Sequence, residues 1–290
     1  MTIKFLKIVD RNLVFTLLIS TLFYSLGISL AHYLGIELNN LYLAIGFLWV
    51  ISIQLTSKGY LLLINPEIDL TRDDFPSGQE GINKFRLFIL FLFFAGVIFL
   101  AILLQGRTQG IKFWVLILLA YFGLFLFPSI MKGKYAYMPI VFAIFQASII
   151  PGLAFILANS ELPRSLLLMV FPLTLLLVAY NIAKNISTYA RDVTINRKTI
   201  LRAIGWRKGI YIHHTLLILS LIFLLLNIGK GLPSNFLLPV GLSVPLMLLA
   251  IFWLQRIKAG FNPIWPVFNI INASAICIPV YLFSYSLWIN

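Results

Sequence analysis

The stretch Leu41–Ile64, LYLAIGFLWVISIQLTSKGYLLLI, is followed without a break by Asn65–Asp74, NPEIDLTRDD. The first part is apolar for longer than the ~20 residues a helix needs to cross a bilayer. The second sets carboxylates directly against the end of that run. The chain has 9 Asp and Glu in 290 residues, and five of them are Glu67, Asp69, Asp73, Asp74 and Glu80. Carboxylates concentrated at the end of a membrane span are costly unless cations occupy the place. The segment therefore sets two expectations, a membrane-embedded helix and a site for chemistry at its end.

The rest of the chain extends the first expectation. It is 61% hydrophobic and 11% charged, with mean hydropathy +0.98, whereas a soluble domain is about 25% charged. Apolar runs at about 13–34, 41–64, 86–105, 111–131, 138–158, 165–183, 210–228, 237–255 and 266–288 predict nine transmembrane helices. Lipid offers backbone groups no partner, so an all-α polytopic membrane protein is expected. A β-barrel would need alternating segments of ~10 residues, and the sequence has none. No Ser/Gly linker divides the chain, which reads as a single integral membrane domain over 1–290. Two polar connections stand out, at about 65–85 and 184–209, after the second and the sixth helices. That spacing hints at two similar halves, without a residue-level repeat.

The formal charge of +13 does not imply nucleic acid, because its distribution follows the loops. Counted from an inside N-terminus, seventeen Lys and Arg fall on one side and four (Arg107, Lys112, Arg164 and Lys230) on the other. This positive-inside bias predicts a cytoplasmic N-terminus and an outside C-terminus, in the plasma membrane if the cell is prokaryotic. The first apolar run lacks a small-residue cleavage site and reads as a retained helix. The single cysteine, Cys277, excludes a disulfide within the chain.

In the first polar stretch Asn65, Asp69 and Asp73 are spaced i, i+4, i+8. If helix continues past Pro66, which a first turn tolerates, they share one face. Oxygen donors along one face at a membrane surface suit a hydrated Mg²⁺ that also binds substrate phosphates. Lys58, seven residues before Asn65, points roughly the same way from deeper in the span. The plainer reading leaves these acids as a solvated loop. In the second stretch Asn181, Asn185, Thr188, Asp192 and Asn196 align as one polar stripe if the sixth helix runs on. Asp192 is the only acid after Glu161 and sits among seven cations, Arg191, Arg197 and Lys198 included. It either bridges a metal or balances Arg191 or Arg197. Together the stretches pair acids with cations on one membrane face, as a diphosphate requires: metal ions neutralise it while Lys and Arg hold its outer oxygens. An adjacent apolar cavity would hold a lipid tail. His213 and His214 read as interfacial anchors, and Trp206, Trp265 and Trp288 as an aromatic belt.

These residues resemble the UbiA superfamily of intramembrane prenyltransferases, nine-helix bundles with Asp-rich motifs after the second and sixth helices. The first family motif, N-D-x-x-D-x-x-x-D, is similar to Asn65-Pro66-x-x-Asp69-x-x-x-Asp73. The second, D-x-x-D-x-x-x-D-R, resembles Tyr189-x-x-Asp192-x-x-x-Asn196-Arg197. The stretch from Leu26-Gly27 through Ala31 and Gly35 to Gln54 also reads like the family. So does Phe145–Ala183, with Pro151-Gly152 and Phe171-Pro172. Pro66, Tyr189 and Asn196 stand where the family has aspartates, which removes three negative charges from the metal site.

The resemblance implies an UbiA-type prenyltransferase, a transferase of alkyl groups other than methyl. It would transfer a prenyl group from an allylic diphosphate to an aromatic or other lipophilic acceptor, with Mg²⁺ as cofactor. Asp69, Asp73 and Asp192 would then hold Mg²⁺, with Asn65 and Asn196 as neutral oxygen donors. Arg197, Lys198 and Lys58 would grip the diphosphate, and ring faces such as Tyr189 or Tyr60 would face the carbocation. Its partners would be the prenyl diphosphate, the acceptor and membrane lipids, with no nucleic acid. Two other classes stay open. A catalytically degenerate homologue would bind a lipid, quinone or protein partner without turnover. A transporter would call for more intramembrane charge than Lys58 alone.

Overall fold

The computed structural model describes residues 11–64, 79–105, 110–130, 135–159, 161–194, 199–228, 230, 232 and 234–289. Among them the regular structure is entirely helical. Nine helices are long and apolar enough to span a membrane: α1 Arg11–Tyr33, α2 Asn40–Ile64, α3 Gln79–Gln105, α4 Ile111–Ile130, α5 Met138–Ala158, α6 Arg164–Thr194, α7 Trp206–Ile228, α8 Leu237–Lys258 and α9 Trp265–Ile289. A short helix, Ile200–Ile204, precedes α7. The nine spans read from hydropathy are all there.

Both polar connections are shorter than the sequence implies. α3 already begins at Gln79, and α6 continues to Thr194, so the segment 184–194 is helix and not loop. The reason lies in the pattern. From the end of the apolar run onward, Ile182, Ala183, Ile186 and Asp192 are buried while Ala190, Arg191 and Val193 are exposed. One helix face stays packed after the lipid-soluble composition ends, and hydropathy registers only the composition.

α5 is the centre of the bundle. Every residue of Ile150–Ala158 is buried, and α5 packs against α1, α2, α4 and α6. Around it, α9 joins α1 to α6 and α8, and α7 lies along α6, while α3 packs chiefly on α2. Glycine makes the two tightest approaches to α5. A Cβ at Gly27 of α1 would stand 2.8 Å from the Ala154 Cβ, and one at Gly46 of α2 would stand 2.7 Å from the Tyr24 hydroxyl and clash with Leu157. Without a hydrophobic force between helices in lipid, close packing through small residues supplies the attraction.

Prolines remove backbone donors from the helices, and neighbouring side chains supply the missing hydrogen bonds. Pro172 in α6 cannot donate to the Leu168 carbonyl four residues back; Asn227 Nδ2 of α7 donates to it instead, at 2.8 Å. Ser220 Oγ, also from α7, donates to the Pro172 carbonyl at 2.8 Å. In α4, Pro128 leaves the Leu124 carbonyl, which accepts from Ser57 Oγ of α2 at 3.1 Å. α5 widens into a π-helical turn, Phe145–Ile149, just before Pro151, the local adjustment that spares a proline ring the carbonyl behind it. α1 and α8 each end on a left-handed glycine, Gly35 (φ +70°) and Gly260 (φ +95°). The amides of Ile36 and Phe261 reach back to the Ala31 and Arg256 carbonyls, the wrap that closes a helix end.

Candidate functional site

Contacts along α5 locate the ends of α2 and α6. Gln146 of α5 shares a partner with Gln54 of α2, the Ser20 hydroxyl of α1. Seven residues nearer the start of α5, the Pro139 carbonyl accepts from Asn181 Nδ2 of α6 at 2.9 Å. Gly46 of α2 lies against Leu157 of α5, and Thr174 of α6 bonds to Ser148 of α5 at 3.0 Å. Both helices therefore run antiparallel to α5, and moving along α5 from Gln146 to Pro139 is the direction in which α2 runs from Gln54 to Lys58 and α6 from Asn181 to Asp192. Both helices deliver their C-terminal ends to one face of the bundle.

Of the residues expected to hold the metal and the diphosphate, Lys58 and Asp192 lie among the described residues. Lys58 is half-buried near the end of α2, and Asp192 is buried near the end of α6 at 1% exposure. Asn65, Asp69, Asp73, Asn196, Arg197 and Lys198 lie outside the described residues. The Thr188 hydroxyl donates to Asp192 Oδ2 at 2.8 Å. That i, i+4 bond puts both on one face, as the polar stripe requires. Asn181 is turned to α5 and spends its amide on Pro139. Tyr60 faces α4, with its hydroxyl 2.7 Å from Ser129 Oγ and its ring against Phe125.

The donors that remain on this face of α6, Asn185, Thr188 and Asp192, carry hard oxygen atoms and no sulfur or imidazole. That chemistry fits Mg²⁺. Among the described residues no three His, Cys, Asp or Glu side chains gather; the other acids of the anticipated set lie outside them.

Deeper in the bundle than these helix ends is a buried polar floor that joins α1, α2 and α5 and that hydropathy hid. Ser20 Oγ donates to the Thr16 carbonyl at 2.9 Å and accepts from Gln54 Nε2 at 2.7 Å and Gln146 Nε2 at 3.3 Å. Gln146 Nε2 also lies 3.2 Å from the Thr16 carbonyl. Gln54 and Gln146 are 4% and 6% exposed. The signal was available as single glutamines inside apolar spans, a costly placement that needs a reason. An apolar cavity of about 560 Å³ lies elsewhere, between α4, α5 and α6, and is lined by Phe122, Val141, Phe145, Ile149 and Phe171 among others. The π-helical turn of α5 serves both, with Phe145 on the cavity and Gln146 toward α1 and α2.

The two histidines depart from expectation. His213 is fully buried, not an interfacial anchor, because α7 begins at Trp206 and carries it two turns inward. Asn272 of α9 donates from Nδ2 to the Phe268 carbonyl, so its Oδ1 accepts from His213 Nε2 at 2.8 Å. His213 Nδ1 then accepts from His214 Nδ1 at 3.3 Å. A chain of this kind fixes both tautomers. It ties α7 to α9.

No protein-family model matches the sequence, and no curated protein matches it. Solved structures match its fold. A structure concerning digeranylgeranylglyceryl phosphate synthase in membranes superposes with a TM-score of 0.68 at 15% identity, covering 97% of this chain and 100% of the other. An apo UbiA homologue from Aeropyrum pernix K1 gives 0.63 at 15% identity, over 90% and 96%. A UbiA homologue from Archaeoglobus fulgidus bound to GPP and Mg²⁺ gives 0.60 at 16% identity, over 95% and 99%. The chain has the fold of these UbiA homologues, and it is an integral membrane protein.

Proposed function

We propose that this chain is a Mg²⁺-dependent intramembrane prenyltransferase of the UbiA type, moving a prenyl group from an allylic diphosphate to a lipophilic acceptor. One observation carries the reading. Within the fold of a homologue that binds GPP and Mg²⁺, Asp192 is buried at the end of α6 on the same face as the end of α2 with Lys58. The matching sequence motifs, Asn65 to Asp73 and Asp192 to Arg197, extend from those two helix ends. We place that face, and the N-terminus, in the cytoplasm on the bias of Lys and Arg, and treat 1–290 as one domain.

Asp69, Asp73 and Asp192 would hold the metal, assisted by the neutral oxygens of Asn65 and Asn196. A Mg²⁺ ion held there would supply the positive charge that neutralises the diphosphate and improves it as a leaving group. Arg197 and Lys198 hold its outer oxygens, with Lys58 reaching it from below. The Thr188 hydroxyl, bonded to Oδ2, fixes the orientation of the Asp192 carboxylate. The C1–O bond of the donor breaks and the electron pair leaves with the diphosphate. The acceptor then bonds to C1 and loses a proton. Packed apolar walls keep water from the allylic cation meanwhile.

The test is release of diphosphate from labelled geranyl diphosphate by the purified chain, with and without Mg²⁺, across a panel of phenols, quinols and lipid alcohols. Mg²⁺-dependent release that disappears in Asp192→Asn is the expected result. Tight binding of the donor without turnover on any acceptor would instead favour the degenerate homologue, the reading to which Tyr189 and Asn196 at aspartate positions lend weight.

A further inference from the structure

The cavity between α4, α5 and α6 is a groove open toward the lipid. Leu119, Ile144 and Phe171, one from each helix, line it and are about half exposed. Among the residues that line it, Ser148 is the one with a polar side chain, and its hydrogen is committed. The Thr174 hydroxyl donates to the Val170 carbonyl at 2.8 Å, so Ser148 donates to Thr174 at 3.0 Å. The interior therefore suits hydrocarbon and would penalise a polar group. From Gly152 to Val141 of α5 the wall is ~16 Å long at ~1.5 Å per residue. That is about the depth one leaflet gives to a hydrocarbon core of ~30 Å.

Charge decides which end of the groove carries a headgroup. A Cβ at Gly152 would stand 3.2 Å from Leu116, and one at Gly123 would stand 3.3 Å from Val141, so α4 is antiparallel to α5 and parallel to α6. Lys112 at the start of α4 and Arg164 at the start of α6 thus share one end of the bundle, the end away from Asp192. Lys112, Leu116 and Leu119 are spaced i, i+4, i+7, and Arg164, Leu167 and Phe171 i, i+3, i+7. Each cation therefore heads the helix stripe that lines the groove, and both are exposed. Glu161, three residues before Arg164, offsets one charge and leaves this rim positive. We propose that the groove binds an anionic phospholipid, with one acyl chain laid along α5 and the phosphate at the rim formed by Lys112 and Arg164. A prenyl diphosphate is anchored at the opposite end, by the Asp192 face, and does not account for cations here. The proposal is independent of the transferase reading.

Photo-cross-linking of the full chain in nanodiscs of phosphatidylcholine tests this. Two probes carry the same diazirine midway along one acyl chain, one a phosphatidylglycerol and the other a phosphatidylcholine, and labelled residues are located by mass spectrometry. In the wild type the anionic probe should label the α5 segment 141–152 about fivefold more than the zwitterionic one, the scale of two solvent-facing ion pairs. Lys112→Gln with Arg164→Gln should bring that ratio to about one, and each single change to about two. The ratio at Arg256 and Lys258, at the other end of the bundle, should stay as it was. Leu167→Trp, which fills the groove from its exposed edge and keeps both cations, should lower labelling by both probes at least threefold. Unfolding midpoints check that the variants, all at exposed positions, are folded. Equal labelling of the wild type, a ratio that survives the double substitution, or labelling indifferent to Leu167→Trp overturns the proposal. So does displacement of the label by geranylgeranyl diphosphate and not by unlabelled phosphatidylglycerol, which would make the groove the seat of a prenyl tail.

Discussion

The α6–α7 interface and the α1–α2–α5 floor are both polar clusters buried in an apolar bundle, yet they close differently. Between α6 and α7, Asn227 and Ser220 each end on a backbone carbonyl, one of which Pro172 had deprived of its helical amide. Every group named there has a use inside the chain. On the floor, two carboxamides converge on the Ser20 hydroxyl and the Gln54 oxygen is left without a hydrogen. The first cluster settles a backbone debt; the second joins three helices through side chains and leaves one group unsatisfied.

Substitutions can break that contrast or sharpen it. The largest effect is expected at the mouth. Asp192→Asn should cut Mg²⁺-dependent turnover by about a hundredfold or more, as loss of a charge stabiliser does, with little change in the unfolding midpoint. Gly27→Leu should act the other way, on stability, because its side chain must enter α5 at Ala154 and the Pro151 backbone. Unfolding in mixed micelles should show a loss of about 3 kcal/mol. Asn227→Leu strands the Leu168 carbonyl and should destabilise by about 1–2 kcal/mol, with donor and acceptor affinities of the surviving protein unaltered. Ser57→Ala does the same to Leu124 through a longer bond and should cost about 0.6 kcal/mol, the mean for such bonds in a bilayer. An Asn227 variant that lost no stability would erase the distinction between the two clusters.

The architecture was legible because lipid leaves few solutions. Nine apolar runs correspond to nine membrane-length helices among the described residues, and the spans at 41–64, 111–131 and 138–158 coincide with the observed ones to within a residue. What composition missed lay where helix and hydrophobicity part company. α6 runs on through Asn185 and Asp192 because Ile182, Ala183, Ile186 and Asp192 itself stay buried, and His213 is two turns inside α7 because Trp206 and Arg207 already belong to it. At the site, the spacing of Asn181, Asn185, Thr188 and Asp192 foretold a stripe, and the Thr188–Asp192 bond is its mark. The floor was hidden for a different reason. Ser20, Gln54 and Gln146 come from three helices, and no periodicity within one run reports which polar residues will meet across a bundle.

The length of α6 carries a further consequence. Its 31 residues make a rod of ~46 Å at 1.5 Å per residue, about half as long again as the ~30 Å of oil it crosses. The final turns must therefore stand among the phospholipid headgroups. An anion carried there never has to be dragged through hydrocarbon when the helix inserts. The chain can thus hold a carboxylate out of water without making its own assembly in the membrane depend on it, and a variant lacking that charge should be inserted as readily as the parent.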